Sequence, residues 1–208
     1  MNKKESIANF NKETILKAAK ELFLEYGMSE TTMDMIAKKS DYSKATIYSY
    51  LKSKEEIFYY LVLSYMVSFR NDVNSIVNDL SSLKDKYFYI CYKLVDFQKE
   101  SNIFFQGMIG FINMDIDNPD TLTVYKEIYK EGILINNIFA KLLYQAIEEK
   151  YIKESENISS IILYLWSGIS GIVNMSSQKK DYIKLLGLEQ DKFLKYALEC
   201  LLKGIIEK

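Results

Sequence analysis

The sequence predicts an all-α protein of about nine helices, in which a small N-terminal head precedes a larger helical body. Helix-breaking residues are scarce, because the 208 residues include only one proline and eight glycines. Leucine, isoleucine, lysine and glutamate are frequent instead, which favours helix throughout. Three helix-start signals also follow one another closely between residues 31 and 56. These observations predict a head at residues 1–53 and a body at residues 54–208.

The start signals of the head indicate two short helices joined by a tight turn. Thr31 with Asp34 resembles a capping box, and Ser43 precedes a short helical run. Ser53 and Glu56 form a complete Ser-x-x-Glu box, which starts the next helix. Two short helices in this arrangement are typical of a helix-turn-helix, which places its second helix in the major groove of DNA.

The other helices follow from apolar residues at helical spacing and from the turn residues between them. The first is expected from Asn11 to Tyr26, and Gly27 suits a left-handed cap at its end. Asn118 and Pro119 suit the start of another helix. Residues 179–190 are expected to form a loop. The remaining helices are expected at about 54–80, 83–100, 103–111, 119–152, 157–178 and from 191 onward.

The composition argues against an enzyme and against a secreted protein. The sequence contains no histidine, which removes the commonest general base and metal ligand, and no glycine-rich phosphate loop. No metal and no cofactor are therefore expected. Cys91 and Cys200 both lie in apolar helical runs, as reduced cysteines of a cytoplasmic protein do.

Residues 157–178 carry no charge and are long enough to cross a bilayer. Six serines and two asparagines lower the hydropathy of this segment, so a buried helix is the preferred interpretation over a membrane span.

Charge is distributed unevenly along the chain. Residues 1–54 carry ten lysines against seven acids, an excess of three, which leaves −4 for the rest of a chain with net charge −1. This sign suits a DNA-binding head on an acidic body.

A dense series of residues in the head follows one recognisable order and spacing. It comprises Ile15-Leu16, Ala18-Ala19, Leu22-Phe23, Gly27, Thr31-Thr32, Ile36-Ala37, Ser43, Thr46-Ile47-Tyr48, Tyr50-Leu51 and Ser53-Lys54-Glu55. In this series the chain resembles the DNA-binding domain of TetR-family transcriptional regulators, over about residues 11–62. Leu51 departs mildly from the family pattern, which usually has phenylalanine there.

The predicted third helix carries the residues best suited to meet DNA. Ser43 caps it, and Lys44 and Ala45 open it. A lysine can donate to guanine O6 and N7, and an alanine methyl can touch the thymine methyl. The family resemblance implies that Lys44, Ala45 and Tyr48 read bases. It also implies contacts to the DNA backbone from Thr32, Thr46, Tyr50 and Lys54. The alternative is that Tyr48 and Leu51 only pack the head and that Lys44 is a solvated lysine.

Two helices of the body suit dimerisation. Small residues, which allow close approach of a second helix, lie in the uncharged segment at Ser160, Ser167, Gly168 and Gly171. The last helix carries an apolar stripe that includes Leu194, Ala197 and Leu201. Two such helices from each subunit can form a four-helix bundle about a two-fold axis. These residues also suit the core of a monomer, but the family resemblance favours a homodimer.

Aromatic, methionine and glutamine residues of the body suit an apolar ligand pocket with a few polar anchors. Residues 103–111 are apolar around most of the helix, so Gln106 should be buried and need a partner. On the preceding helix Gln98 shares a face with Cys91 and Leu94, whereas Asp96 points away. The alternative for each residue is ordinary core packing. The candidate ligand residues are Tyr65, Phe69, Tyr92, Gln98, Phe104, Phe105, Gln106, Met108, Tyr125 and Trp166.

The resemblance implies a ligand-responsive transcriptional regulator, commonly a repressor. Such a protein binds a palindromic operator in double-stranded DNA as a homodimer and is released by a small apolar or cationic molecule. The alternative is a DNA-bound structural or partner-binding protein of the same fold that has no small-molecule inducer. A filled interior would favour that alternative.

Overall fold

The computed structural model describes residues 3–77, 82–110, 121–154 and 157–206. Within these ranges all the regular secondary structure is α-helix, which confirms the predicted fold class. Asn118 and Pro119, predicted to start a helix, lie outside the described residues. The helices are α1 (Lys3–Glu30), α2 (Met33–Ser40), α3 (Lys44–Tyr50), α4 (Lys54–Val77), α5 (Leu83–Glu100), α6 (Asn102–Ile109), α7 (Thr123–Glu148), α8 (Ile158–Gln178), α9 (Lys180–Leu185) and α10 (Gln190–Lys203).

The chain forms two compact units. The first comprises residues 1–66 and 101–130, and the second comprises residues 67–100 and 131–208. The first unit therefore holds the predicted head together with α6 and the beginnings of α4 and α7. The second unit holds α5, α8, α9 and α10 with the remainder of α4 and α7. The predicted boundary at residue 53 stays a prediction about domains.

Helix α1 is longer than the sequence pattern predicts. It already runs from Lys3, whereas the expected start was Asn11. The added residues include Ile7 and Phe10, both exposed, so no buried apolar stripe marks them in the sequence. At the other end Gly27 has φ 79° and ψ 168°, and one further helical turn follows to Glu30. Gly27 therefore has the positive φ that was expected, but with an extended ψ instead of the left-handed helical value.

The starts of α2, α3 and α4 were predicted correctly with one exception. Thr32, and not Thr31, caps α2, and its hydroxyl accepts a hydrogen bond from the Met35 N–H at 3.2 Å. Thr31 is fully buried and donates its hydroxyl to the Gly27 carbonyl at 2.7 Å, so it ends α1. Ser53 caps α4 through the Glu56 N–H at 3.1 Å. The Glu56 carboxylate accepts from the Lys52 N–H, one residue earlier than in the usual box.

Later in the chain, α8 has the predicted bounds and α9 is new. Asn157 caps α8 by accepting from the Ser160 N–H at 2.9 Å. The segment expected to be a loop contains the short helix α9, in which Ile183 is the single buried residue. One buried residue in six gives too little periodicity for a sequence pattern to mark a helix.

Helices α8 and α10 pack against each other in antiparallel directions within the second unit. A Cβ atom at Gly168 would lie 2.7 Å from Leu201 Cδ2, and one at Gly204 would lie 2.6 Å from the Tyr164 hydroxyl. At the opposite end, Gln190 Nε2 donates to the Ser176 carbonyl at 2.9 Å. The two small residues therefore let the helices approach closely.

Helix α8 is long and apolar enough to span a membrane when judged by length and composition alone. The buried helix of a soluble protein meets the same criteria. In its most apolar stretch only 28% of the residues are buried within this chain. The sequence predicted a buried helix, but the helix is only partly buried. Much of its apolar surface faces outward.

We predict that Gly27→Ala destabilises the first unit by about 1–3 kcal/mol, because alanine is strained at this φ and ψ. A Cβ atom there would meet nothing within 4 Å, so the loss would come from the backbone alone. Urea unfolding measures the change. The matched control is Gly132→Ala inside α7, which is equally open around its Cβ and should stabilise by about 0.5–1 kcal/mol. Equal effects of the two substitutions would contradict the view that the positive φ of Gly27 causes the loss of stability.

Candidate nucleic-acid interface and ligand cavity

Helix α3 is held by its cap and by one buried side chain. The Ser43 hydroxyl accepts from the Thr46 N–H at 3.0 Å and lies 2.8 Å from the Thr46 hydroxyl. Ile47 is fully buried, whereas Lys44 and Ala45 are exposed and Tyr48 is 49% exposed. Tyr48 is therefore only partly packed against the head, and its role in reading bases stays a prediction. Helix α3 presents its first turn and Tyr48 to the exterior, which is the arrangement that reading a groove requires.

Lys44 has an acidic partner within the head. Its Nζ lies 2.8 Å from Asp34 Oδ1 on α2, and both side chains are largely exposed. The hydrogen bond that Lys44 donates to the Asp34 carboxylate raises the pKa of Lys44 above its ordinary value. The ammonium group is thus charged but paired. A carboxylate at this place also repels the phosphates that the same surface would approach.

Lys54 and Thr32 lie where α1, α2 and α4 meet. The Lys54 Nζ donates to the Thr31 carbonyl at 2.9 Å and to the Ser29 carbonyl at 3.3 Å. An ammonium group has three donors, so one N–H direction is left for another acceptor. Thr32 is exposed and caps α2. Lys54 therefore has a structural role in addition to the predicted phosphate contact.

Tyr50 is half-buried at the end of α3. Its hydroxyl accepts a hydrogen bond from Asn11 Nδ2 of α1 at 2.9 Å. With Tyr50, all eight candidate DNA-binding residues belong to the first unit, on α3 or at the N-terminal ends of α2, α3 and α4.

The candidate ligand residues are divided between the two units. Tyr65, Phe104, Phe105, Gln106, Met108 and Tyr125 belong to the first, and Phe69, Tyr92, Gln98 and Trp166 to the second.

In the first unit Phe104 and Phe105 are fully buried, and the Tyr65 ring stacks on Phe104 with centroids 5.1 Å apart. Tyr125 meets the Tyr59 ring edge-on at 4.9 Å, and Met108 is half-buried. The expectation that Gln106 is buried was wrong. It is half-buried, and its Nε2 donates to Asn102 Oδ1 at 3.3 Å, because only one side of α6 packs into the core.

In the second unit Gln98 is buried and Asp96 is exposed, as the helical spacing predicts. Trp166 donates its Nε1–H to Asn136 Oδ1 at 2.8 Å and packs its ring on Phe139. Phe69 is buried, whereas Tyr92 is 40% exposed on the surface.

A cavity of about 430 Å³ lies within the second unit. Of the ten candidate ligand residues, none lines it. Its walls come from the N-terminal turns of α5, the C-terminal half of α7, α8, and the end of α10. Eleven of its lining residues are aliphatic or phenylalanine, namely Leu83, Ile90, Phe139, Leu142, Leu143, Ala146, Ile152, Leu165, Leu202, Ile205 and Ile206.

The remaining lining residues supply a few polar groups, and two of them are cationic. They are Ser82, Lys84, Tyr87, Tyr151, Glu199 and Lys203. Lys84 and Lys203 are exposed, so their ammonium groups reach the solvent side of the cavity. The Tyr87 hydroxyl donates to the Leu198 carbonyl at 2.9 Å, and burial raises the pKa of this phenol. The lining is therefore mostly apolar, and with one acidic and two basic side chains its edge carries a net positive charge.

The candidate dimer residues differ in their surroundings. Leu194 and Leu201 are buried, and Gly168 packs against Leu201 in the same chain. Ser160, Ser167 and Gly171 are exposed, and Ala197 is half-buried. Large apolar side chains flank the exposed small residues. We refer to these outward residues as the α8–α10 face, which comprises Leu163, Tyr164, Ser167, Gly171, Met175, Tyr196 and Cys200.

Comparison with known proteins identifies the head. Residues 15–61 match the family described as bacterial regulatory proteins, tetR family. The N-terminal domain belongs to the TetR family. In this TetR-family domain, 47 residues are 47% identical to YhgD of Bacillus subtilis (strain 168), described as an uncharacterized HTH-type transcriptional regulator. That match spans 23% of this chain and only 25% of YhgD.

The fold of the whole chain is similar to that of solved structures. FadR from Bacillus subtilis, solved in complex with stearoyl-CoA, gives a TM-score of 0.68 at 20% identity over 93% of this chain and 98% of that one. FadR from Thermus thermophilus, described as a transcriptional repressor in complex with lauroyl-CoA, gives 0.64 at 19% identity over 95% and 96%. At such identities the likeness concerns the fold.

Sequence reasoning missed several residues of both candidate sites. Asp34 was interpreted as part of a cap, yet in the TetR-family domain it pairs with Lys44 across two helices. The cavity lining was also missed, although Leu83, Tyr87 and Ile90 recur at helical spacing. That spacing predicts a buried face and cannot tell whether a neighbouring helix fills it.

We predict that Asp34→Asn strengthens binding of the TetR-family domain to any duplex, because it frees the Lys44 ammonium and removes a carboxylate. The gain should be severalfold at low salt and should diminish as salt rises. Fluorescence anisotropy on a random-sequence duplex measures it. Glu21→Gln is the control, since it breaks a similar pair with Lys39 at 2.9 Å between α1 and α2. If both variants gained equally, the effect would be net charge alone.

Proposed function

We propose that the protein is a transcriptional regulator that binds double-stranded DNA through α3. The observation that carries the proposal is the geometry of this helix within a TetR-family domain. Ser43 caps it, Ile47 fixes it in the core, and Lys44, Ala45 and Tyr48 face outward. Exposed side chains on the first turns of such a helix can reach base edges in the major groove.

Selection from random double-stranded DNA with the purified protein tests this function. We expect a palindromic motif, because two identical subunits present two copies of α3 to adjacent turns of the duplex. Tyr48→Ala should lower affinity for the selected motif by about tenfold or more and change unselected DNA much less. Failure to enrich any sequence, together with no binding to any duplex, would contradict the proposal.

The proposed assembly is a homodimer through the α8–α10 face. Leu163 is 65% exposed and Tyr196 is 67% exposed, and α8 carries no charge along its whole length. Exposed apolar side chains on two packed helices suit an interaction site. The exposed Ser167 and Gly171 permit close approach of a second helix. An antiparallel helix pair from each copy forms a four-helix bundle about a two-fold axis.

We predict that Leu163→Lys converts the dimer into a monomer, because it would bury an unpaired ammonium group in the interface. The apolar contacts of the lysine methylenes do not offset that cost. Sedimentation velocity measures the mass. Leu134→Lys is the matched control, since Leu134 is also exposed but lies on α7, outside the α8–α10 face. This control should stay dimeric. A monomeric wild-type protein would overturn the assembly without affecting the DNA-binding surface.

The cavity of the second unit supports a ligand-responsive regulator, commonly a repressor that leaves DNA when the ligand binds. Its volume lies within the range of small-molecule sites, and its lining is apolar with a cationic margin. We propose an amphiphile as ligand, with an apolar chain among the aliphatic residues and an anionic head at Lys84 and Lys203. The acyl-CoA complexes of the two FadR structures are consistent with this class. Release from DNA requires that the ligand prefer the conformation with low DNA affinity.

We predict that long-chain acyl-CoA or fatty acid raises the melting temperature and that short-chain analogues do so less. Lys84→Glu combined with Lys203→Glu should abolish most of the shift, because it reverses the charge around the head group. Lys195→Glu, an exposed α10 position outside the cavity lining, is the control. If no ligand of any chain length shifts melting, the alternative holds. The protein would then be a DNA-bound structural or partner-binding protein without a small-molecule inducer.

A further inference from the structure

One side chain of α1 holds both ends of the recognition helix. The Tyr42 hydroxyl donates to Asn11 Oδ1 at 2.8 Å, and Asn11 Nδ2 donates to the Tyr50 hydroxyl at 2.9 Å. Tyr42 directly precedes the cap Ser43, and Tyr50 is the last residue of α3. All three members of this Asn11 bridge are half-buried. The bridge therefore connects the turn before α3 and the end of α3 to a single point on α1.

The direction of these hydrogen bonds gives the two phenols different capacities. A phenol has one proton to donate and also accepts through its oxygen. Tyr42 already donates its proton to Asn11. Tyr50 accepts from Asn11, so its own proton is directed elsewhere, and no acceptor for it lies among the residues that the structure describes. DNA phosphate oxygens only accept hydrogen bonds, so Tyr50 can serve them and Tyr42 cannot.

We propose that Asn11 is a positioning residue for DNA binding, which keeps the Tyr50 hydroxyl oriented as a donor to a backbone phosphate. Tyr42 anchors the other side of the amide and makes no DNA contact. The inference rests on the proposed DNA-binding function. It assigns to Asn11 and Tyr42 roles that neither the family motif nor the spacing of the sequence indicates.

An amide is the side chain that this arrangement needs. It offers one acceptor and one donor on opposite sides, so the two phenols are held with opposite polarity. A carboxylate would accept from both phenols and would draw the Tyr50 proton inward. A leucine would release both. Donation from Asn11 also polarises the Tyr50 hydroxyl, which strengthens its bond to an anionic acceptor.

A double-mutant cycle on the full chain tests the inference, with Asn11→Leu, Tyr50→Phe and the combination. The affinity for a random-sequence duplex is measured at low salt, since a phosphate contact does not depend on sequence. Tyr50→Phe should weaken binding about tenfold, because it loses a hydrogen bond to a charged group. Asn11→Leu should weaken binding similarly, and the combination should be no weaker than Tyr50→Phe alone. Tyr42→Phe removes only the anchor on the other side of the amide and no phosphate contact, so it should weaken binding less than Tyr50→Phe.

The salt dependence separates this contact from a lysine contact. A neutral hydroxyl releases no counterion, so the slope of log affinity against log salt should not change in Tyr50→Phe. Where Asn11→Leu does not fold, as judged by melting, Asn11→Asp replaces it. The added charge of Asn11→Asp weakens binding equally whether residue 50 is tyrosine or phenylalanine. Since Asn11 also acts through the Tyr50 hydroxyl, Asn11→Asp should weaken binding more with tyrosine at position 50 than with phenylalanine.

Two results would overturn the inference. One is that the losses from Asn11→Leu and Tyr50→Phe multiply, which would mean that Asn11 acts on the fold alone. The other is that Tyr42→Phe weakens binding as much as Tyr50→Phe, which would give the phosphate contact to Tyr42. A wild-type protein that binds no duplex would instead contradict the proposed function itself.

Discussion

The burial of Ile47 is the constraint on which the DNA-facing surface depends. Helix α3 has seven residues, far fewer than an isolated helix needs to be stable in water. Its conformation therefore comes from its surroundings, through the fully buried Ile47, the Ser43 cap and the Asn11 bridge. Because Ile47 is the one fully buried side chain of this helix, most of the helix surface can carry polar residues toward a ligand.

Local signals were predictable from the sequence, and partners brought together by folding were not. The Ser43 cap, the Asn157 cap and the bounds of α8 each depend on residues within one turn. The Thr31 assignment was wrong because two adjacent threonines offer the same local chemistry, and only burial decides which one ends α1. The pairing of Asp34 with Lys44 joins residues on different helices, so no local pattern marks it.

The body shows the same division between pattern and packing. Helical spacing gave the buried face of α5, including Gln98, but it could not say which space between helices stays open. The observed cavity lies among aliphatic residues that the sequence presents as ordinary core. Gly168 likewise has the small size expected at a helix contact. Its neighbour is Leu201 of the same chain, whereas Ser167 and Gly171 face outward.

In the proposed DNA-binding role, the carboxylate of Asp34 acts as an internal phosphate mimic. Before the head can give Lys44 to a nucleic acid, the lysine must leave an anion that it already holds. This exchange lowers the attraction to every stretch of a chromosome by a similar amount, since backbone phosphates are the same everywhere. Base-edge contacts from Ala45 and Tyr48 are not reduced in this way, because the ion pair involves only Lys44. The pair thus shortens the time spent on irrelevant DNA and speeds the search for a target.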